Sequence, residues 1–357
     1  MKTTDTTVHI AVISDSGYAV PTAVMLTSAK IHKKTASQYI IHYLNNGLSE
    51  FDQRKVMELD SPDFRIKMQK CSAEKYKDIK IYDNATFTIS AMIKCELENL
   101  LPTIDKVLML DGDIIVKGDL TELYEEDISD VLIGMTKDLG ASQATIGCVQ
   151  DVPNYCNVGV MLMNLKRMRK ERAGEQFIQT KLTAPDSWIW VEQDPINWVC
   201  RNSLRLLHLK WNSMVSVFRT QEWSMEAINK FYNTNYKSMR ELEDDAVILH
   251  FAAFNKPWRN KLYPYSSLYQ KYYNESPYGD TELEHIVEKE QNVDYQAYKT
   301  KIKLFGFLPF LSVNDQQHRR DCYIFGFLKL FKLRKKEKKK QLLLFGFIPF
   351  ISWKTRF

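Results

Sequence analysis

Short apolar runs alternate with stretches of helical spacing through the first part of the chain. "VHIAVIS" (8–14), "QYIIHYL" (38–44), "DFRIKMQ" (63–69) and residues 106–110 predict strands, rich in β-branched and aromatic side chains. Between them, residues from about Pro21 to Lys33, "FDQRKVMEL" (51–59) and "SAMIKCELENLL" (90–101) have helical spacing, the last stopping near Pro102. Strands alternating with helices predict an α/β fold whose central sheet is largely parallel at its start. Ligands in such sheets sit beyond the carboxyl ends of strands. Two acidic features fall there: Asp15 after the first strand, and Asp111 with Asp113 after 106–110.

The pattern changes from about residue 276. "LFGFLPFLS" (304–312), "IFGFLKLFK" (324–332) and "LFGFIPFIS" (344–352) repeat one motif, with Phe-Gly-Phe cores beginning at Phe305, Phe325 and Phe345, a spacing of 20. The expected organisation is a catalytic body over residues 1–275 and a repeat tail over 276–357. Each repeat is too short to span a bilayer. Aromatic and aliphatic residues beside the run "KLRKKEKKKQ" (332–341) suit contact with an anionic membrane surface. The plainer alternative is a small helical or looped repeat packed on the body, and the repeats equally suit dimerisation.

Charge sharpens this division. Residues 301–357 hold 14 Lys and Arg against 3 Asp and Glu, a net +11, whereas residues 1–300 carry a net −6. The overall +5 therefore belongs to the tail, which argues against nucleic acid as a partner of the body. At 357 residues the chain suits one large domain with an appendage. The start, "MKTTDTTVHIAVISDSGY", lacks a basic n-region, so a signal peptide is not expected. Six scattered cysteines without a Cys-x-x-Cys pair suit a reducing compartment, and the expected location is cytoplasmic.

Chemistry enters at "VLMLDGDIIVKGDL" (107–120). Two carboxylates inside an apolar stretch are costly to bury unless a cation meets them. Asp-x-Asp places both within reach of one hard ion such as Mg²⁺ or Mn²⁺, although Asp-Gly-Asp also makes a good turn. In "VILHFAAFNKPWRN" (247–260), His250 follows an apolar run and can complete a metal shell with neutral imidazole. Lys256 can meet a phosphate oxygen. "NYCNVGVMLMNLKRMRKE" (154–171) places the Asn157 amide at another strand edge. "WVEQDPINWV" (190–199) packs Glu192, Gln193 and Asp194 between apolar residues, and its plain alternative is a helix N-terminus capped by acids.

Together these segments resemble glycosyltransferase family 8, the retaining transferases that include bacterial lipopolysaccharide galactosyl- and glucosyltransferases. The resemblance covers roughly residues 8–265, with "LKWN" (209–212) also in order. It implies a GT-A fold, a single nucleotide-binding α/β domain, with a UDP-sugar donor and Mn²⁺ or Mg²⁺. On this resemblance Asp111, Asp113 and His250 ligate the metal, and Asp15 and Tyr18 hold the uracil. Lys256 neutralises the diphosphate, and Asn157, Asp138, Glu192 and Gln193 line the sugar pocket. Three positions depart from the family pattern: Glu192 stands where Asp is usual, Lys94 where Arg is common near the nucleotide, and Ala253 where His-x-x-Gly-x-x-Lys has glycine.

The expected activity is transfer of galactose or glucose to a lipid-linked or surface-polysaccharide glycan, with the tail on the inner face of the cell membrane. If a side chain attacks the sugar, Glu192 is a better nucleophile than Gln193, but front-face attack is the favoured route. The runner-up is an impaired family member that binds nucleotide-sugar as an interaction module. A nucleotidyltransferase ranks last, because no glycine-rich phosphate loop follows the first strand.

Overall fold

The first strand, β1 (Thr7–Ser14), sits in the middle of the main sheet with both faces covered. A computed structural model describes residues 6–34, 36–79, 89–142, 152–185, 188–252, 256–259, 263–281 and six strand segments between 298 and 354. The strands that follow are β2 (Gln38–Asn45), β3 (Phe64–Lys70), β4 (Val107–Leu110), β5 (Ile114–Val116), β6 (Ile133–Lys137), β7 (Cys156–Met163), β8 (Leu204–Leu206) and β9 (Ile248–His250). Their main-sheet order is β3-β2-β1-β4-β7-β6-β8, while β5 and β9 form a separate antiparallel pair. β7 alone runs against its neighbours β4 and β6; every other pairing in the sheet is parallel. The sheet is mixed and largely parallel, and its run β3-β2-β1-β4 is the parallel start that the hydrophobic pattern predicts.

Alternation along the strands sorts side chains onto two cores. Val8, Ile10 and Val12 of β1 join Leu108 and Leu110 of β4 in one cluster. Ala11, Val107 and Met109 face the other. Both faces are therefore apolar, which is why these strands appear in the sequence as continuous apolar runs. Helix α1 (Ala19–His32) follows β1 and packs on β5.

One expected helix differs. Residues Ile89–Glu96 wind in 3₁₀ turns, and only Leu97–Leu100 is α-helical. Met92 to Glu96 are all buried, so no solvent face favours an α-helical amphipathic pattern. The tighter winding also accompanies the burial of Lys94, whose ammonium meets acids from two other segments.

The chain divides into two units, Met1–Val287 and Glu288–Phe357. The second is an antiparallel meander in chain order: β10 (Tyr298–Leu304), β11 (Leu308–Gln316), β12 (Arg319–Ile324), β13 (Leu328–Lys336), β14 (Lys339–Leu344) and β15 (Ile348–Lys354). The repeats thus form strands rather than helices. The ladder shifts register between Ile302 and Lys303, Cys322 and Tyr323, and Leu342 and Leu343. The sequence period of 20 is therefore a backbone period too. The Phe-Gly-Phe cores themselves lie outside the described residues.

Candidate active site

β4 ends at Leu110 and β5 begins at Ile114, so Asp111-Gly112-Asp113 is the turn between two buried strands. The turn is held on both sides: Asp111 N–H donates to the Gly159 carbonyl (2.9 Å), and Phe251 N–H donates to the Asp113 carbonyl (3.0 Å). A side chain at position 112 would overlap Thr22 Oγ1 of α1 and crowd the Tyr18 ring. Glycine is required there by this close approach rather than by an unusual backbone angle.

β9 pairs with β5 so that His250 lies opposite Ile114. Ligand atoms of Asp111, Asp113 and His250 lie within 4.8 Å of one another. His250 Nε2 is 3.4 Å from Asp113 Oδ1. Two carboxylate oxygens and one imidazole nitrogen form a donor set that fits Mn²⁺ well and Mg²⁺ acceptably. The His250 ring lies against Gly159 so closely that any side chain at 159 would displace it. Gly159 thus shapes the candidate metal site from a strand that contributes none of its three donor residues.

Two lysines serve the two aspartates. Lys256 Nζ donates to Asp113 Oδ2 (2.5 Å) and to the Phe251 carbonyl (2.8 Å). Lys94 Nζ lies 2.7 Å from Asp111 Oδ1 and 2.9 Å from Glu192 Oε1. Burial opposes the Lys94 charge, but the two carboxylates outweigh it and hold its pKa above the usual lysine range. Burial also opposes charge on Asp113, yet Lys256 and His250 keep its carboxyl well below the usual range. Asp111 moves the other way: burial and the Asp113 charge prevail over Lys94 and raise it. The second aspartate is therefore the more firmly ionised of the two.

Beside this charged group lies an amide pocket. Asp138 Oδ2 accepts from Asn157 Nδ2 (3.2 Å) and Gln193 Nε2 (3.3 Å). Asn157 belongs to β7 where its pairing with β6 is interrupted: Thr136 pairs with Asn157, but Met135 pairs with Met161. The irregularity takes residues 158–160 out of the β6 ladder and turns the Asn157 side chain to the site, a usual place for a bulge. Gln193 opens the helix Gln193–Cys200. Glu192 stands at its N-cap position without a side-chain cap bond, because its carboxylate is held by Lys94. The acid-capping alternative therefore fails for Glu192.

On the far side, Asp15 Oδ1 accepts from the N–H groups of Gly17 (3.0 Å) and Tyr18 (3.2 Å). Its Oδ2 accepts from Ser90 Oγ (3.2 Å). The half-buried Tyr18 ring meets Trp258 edge-on at 6.2 Å, and Trp258 packs on Tyr269 at 5.0 Å. Of the residues singled out in the sequence, Asp111, Asp113, His250, Lys94, Lys256, Glu192, Gln193, Asn157 and Asp138 meet in one continuous network. Tyr18 borders it at Gly112. Ala253 lies outside the described residues.

Sequence reasoning left two buried polar residues without a role. Asn212, fully buried, bonds both Asn157 and His250; its motif drew notice, its role did not. Asp194 accepts from the Tyr155 hydroxyl and from Trp190 N–H (2.9 Å), and burial pushes its pKa up to about 7. Asn212 carries no local signal, because its partners come from other segments, whereas Asp194 is tied both to its own segment at Trp190 and to the distant Tyr155.

The profile of glycosyl transferase family 8 matches residues 9–261. The chain belongs to glycosyltransferase family 8. Among family relatives, general stress protein A of Bacillus subtilis (strain 168) is 22% identical over 274 residues, 75% of this chain and 93% of that protein. A lipopolysaccharide 1,2-glucosyltransferase of Escherichia coli is 28% identical over 198 residues, and the match spans 53% of this chain and about half (55%) of that relative. The galactosyltransferase LgtC, solved in complex with donor and acceptor sugar analogues, superposes with a TM-score of 0.64 at 20% identity, over 75% of this chain and 96% of LgtC. At that identity the superposition establishes the fold, the GT-A architecture that the family resemblance implied. The protein is accordingly a glycosyltransferase.

Proposed function

We propose that this glycosyltransferase is a metal-dependent, retaining hexosyltransferase. It moves galactose or glucose from a UDP-sugar to a lipid-linked or surface-polysaccharide glycan. The observation that carries the reading is the convergence of Asp111, Asp113 and His250 within 4.8 Å beside Lys256 and an amide pocket. Those three residues would hold Mn²⁺ or Mg²⁺, which supplies Lewis-acid charge to a diphosphate leaving group. The remaining steps belong to the chain. Lys256, buried beside Asp113, would meet a phosphate oxygen that gains charge as the sugar departs. Asn157, Asp138 and Gln193 present amide and carboxylate groups to sugar hydroxyls, and Tyr18 with Asp15 borders the base side.

Two observations support front-face attack, in which the leaving phosphate takes the acceptor proton. Glu192 is neutralised by Lys94 at 2.9 Å and is a weak nucleophile in that state. Asp194 is fully buried with both oxygens bonded. The Lys94–Glu192 contact also weighs against a binding module without turnover: the longer acid and the shorter cation still meet.

UDP release from a panel of UDP-sugars, with Mn²⁺, with EDTA, and with Asp113→Asn, tests the reading. Release from one sugar, abolished by EDTA and by the variant, is expected. Binding of UDP-sugar without UDP release, even with glycan acceptors added, would replace it by the interaction-module reading.

For the tail we propose association with the anionic inner surface of the cell membrane, supported by the net +11 of residues 301–357 beside their aromatic repeats. Cosedimentation of the full chain with anionic vesicles should exceed that with zwitterionic ones. It should fall with salt and on changing Lys338, Lys339 and Lys340 to Gln.

A further inference from the structure

The hydrogen bonds of the amide pocket have a direction, and it can be traced from the backbone outward. Gly159 N–H, a donor by its chemistry, points at the side chain of Asn157 at 2.9 Å, so the atom it meets is Oδ1. Asn157 Nδ2 then faces Asp138 and Gln193. Val158 N–H likewise fixes Gln193 Oε1 (3.3 Å) as an acceptor. The Asn157 oxygen also faces Asn212 at 3.0 Å, so the Asn212 atom there is the donor Nδ2. The other end of Asn212 is thereby Oδ1, and it lies 2.9 Å from His250 Nδ1. An oxygen that only accepts requires the proton on Nδ1. Nε2, 3.4 Å from Asp113 Oδ1, is the nitrogen left to ligate.

We infer that Asn212 is a positioning residue that fixes the His250 tautomer and couples the metal ligand to the sugar-facing amide of Asn157. The inference rests on the metal-binding reading above. Asn212 reaches neither metal nor sugar: it holds an imidazole in the one protonation pattern that leaves Nε2 free to ligate. The same amide donates to Asn157, so a rotation of either partner is felt by the other. Two backbone N–H groups of β7 thus set the orientation of a ligand that comes from β9.

The tautomer is read first, in metal-free protein and mildly alkaline buffer, from the ¹⁵N shifts of the His250 imidazole. A proton on Nδ1 is expected, and a bare Nδ1 would overturn the inference whatever the metal does. Mn²⁺ binding in the presence of UDP is then followed by loss of the free-ion EPR signal for the wild type, Asn212→Ala, Asn157→Ala, the double variant and Asn212→Asp. Asn212→Ala should weaken Mn²⁺ binding by about 10–100-fold. Asn157→Ala should weaken it less, and the double variant should be no worse than Asn212→Ala alone, because the two act through one chain of bonds. Asn212→Asp keeps an acceptor for His250 but loses the donor to Asn157. It should therefore bind Mn²⁺ more tightly than Asn212→Ala and less tightly than the wild type, and it keeps the test available should the alanine variant not fold. A folded Asn212→Ala that binds Mn²⁺ like the wild type, or losses that add in the double variant, refutes the coupling. A wild type that binds no Mn²⁺ refutes the metal reading instead and leaves the tautomer result standing.

Discussion

The two sides of the site are built from different chemistry. On the metal side, Asp111, Asp113, Lys94, Lys256 and Glu192 compensate one another as full charges. On the amide side, proposed to face the sugar, Asn157, Gln193 and Asn212 are neutral amides beside the acid Asp138. Charges attract over distance and tolerate small displacements, whereas an amide turned over presents like atoms to its partner. The first side is therefore sensitive to lost charge and the second to lost direction.

The largest effect should come from removing a charge. Asp113→Asn removes a proposed metal ligand and leaves Lys256 buried without its carboxylate partner; UDP release should fall at least ~100-fold, and stability by about 3–5 kcal/mol, read by denaturant titration. A comparable loss of activity after an uncharged change on the sugar side would break the contrast. Gly159→Ala tests the geometric side: by displacing the His250 ring it should weaken Mn²⁺ binding about 10-fold or more, with all charges intact. Gly112→Ala should destabilise by roughly 1–3 kcal/mol, and Thr22→Ala, which removes the atom in the way, should recover part of that loss in thermal melts.

Smaller effects sharpen the picture. Lys94→Arg and Glu192→Asp should each lower kcat/KM, while the double exchange recovers part of the loss, with a coupling of about 0.5–3 kcal/mol. Asp194 predicts a pH dependence. Its folded pKa of about 7 lies above the ordinary value of 3.8, so the folded protein holds the proton more tightly than the unfolded chain. Stability from this group is full at acid pH and is lost as pH rises from about 4 to about 7. Asp194→Asn should flatten that part of the melting-temperature profile.

Much of this was legible in the sequence because strand ends are marked by chemistry. Apolar runs stopping at Asp15 and Asp111 identified the sheet edge that carries the candidate site, and the candidate metal trio, which the fold brings within 4.8 Å, needed only residue types known to ligate. The segment Ile89–Glu96 was not legible as 3₁₀, since a stretch buried on all sides has no periodicity to distinguish two windings. Asn212 was not legible for a different reason. Its partners are 38 and 55 residues away, and its meaning lies in which end of the amide faces which. Gly159 is similar: only the fold brings an imidazole against it.

The tail ladder shifts at the same point in every 20-residue unit. Each hairpin therefore restores the phase from which the next begins, as a stair returns to level at each landing. An array with that property can gain or lose a whole unit by in-frame duplication or deletion without re-registering the strands that remain. Its length is a quantity that evolution, or a protein engineer, can adjust in steps while the catalytic residues stay untouched.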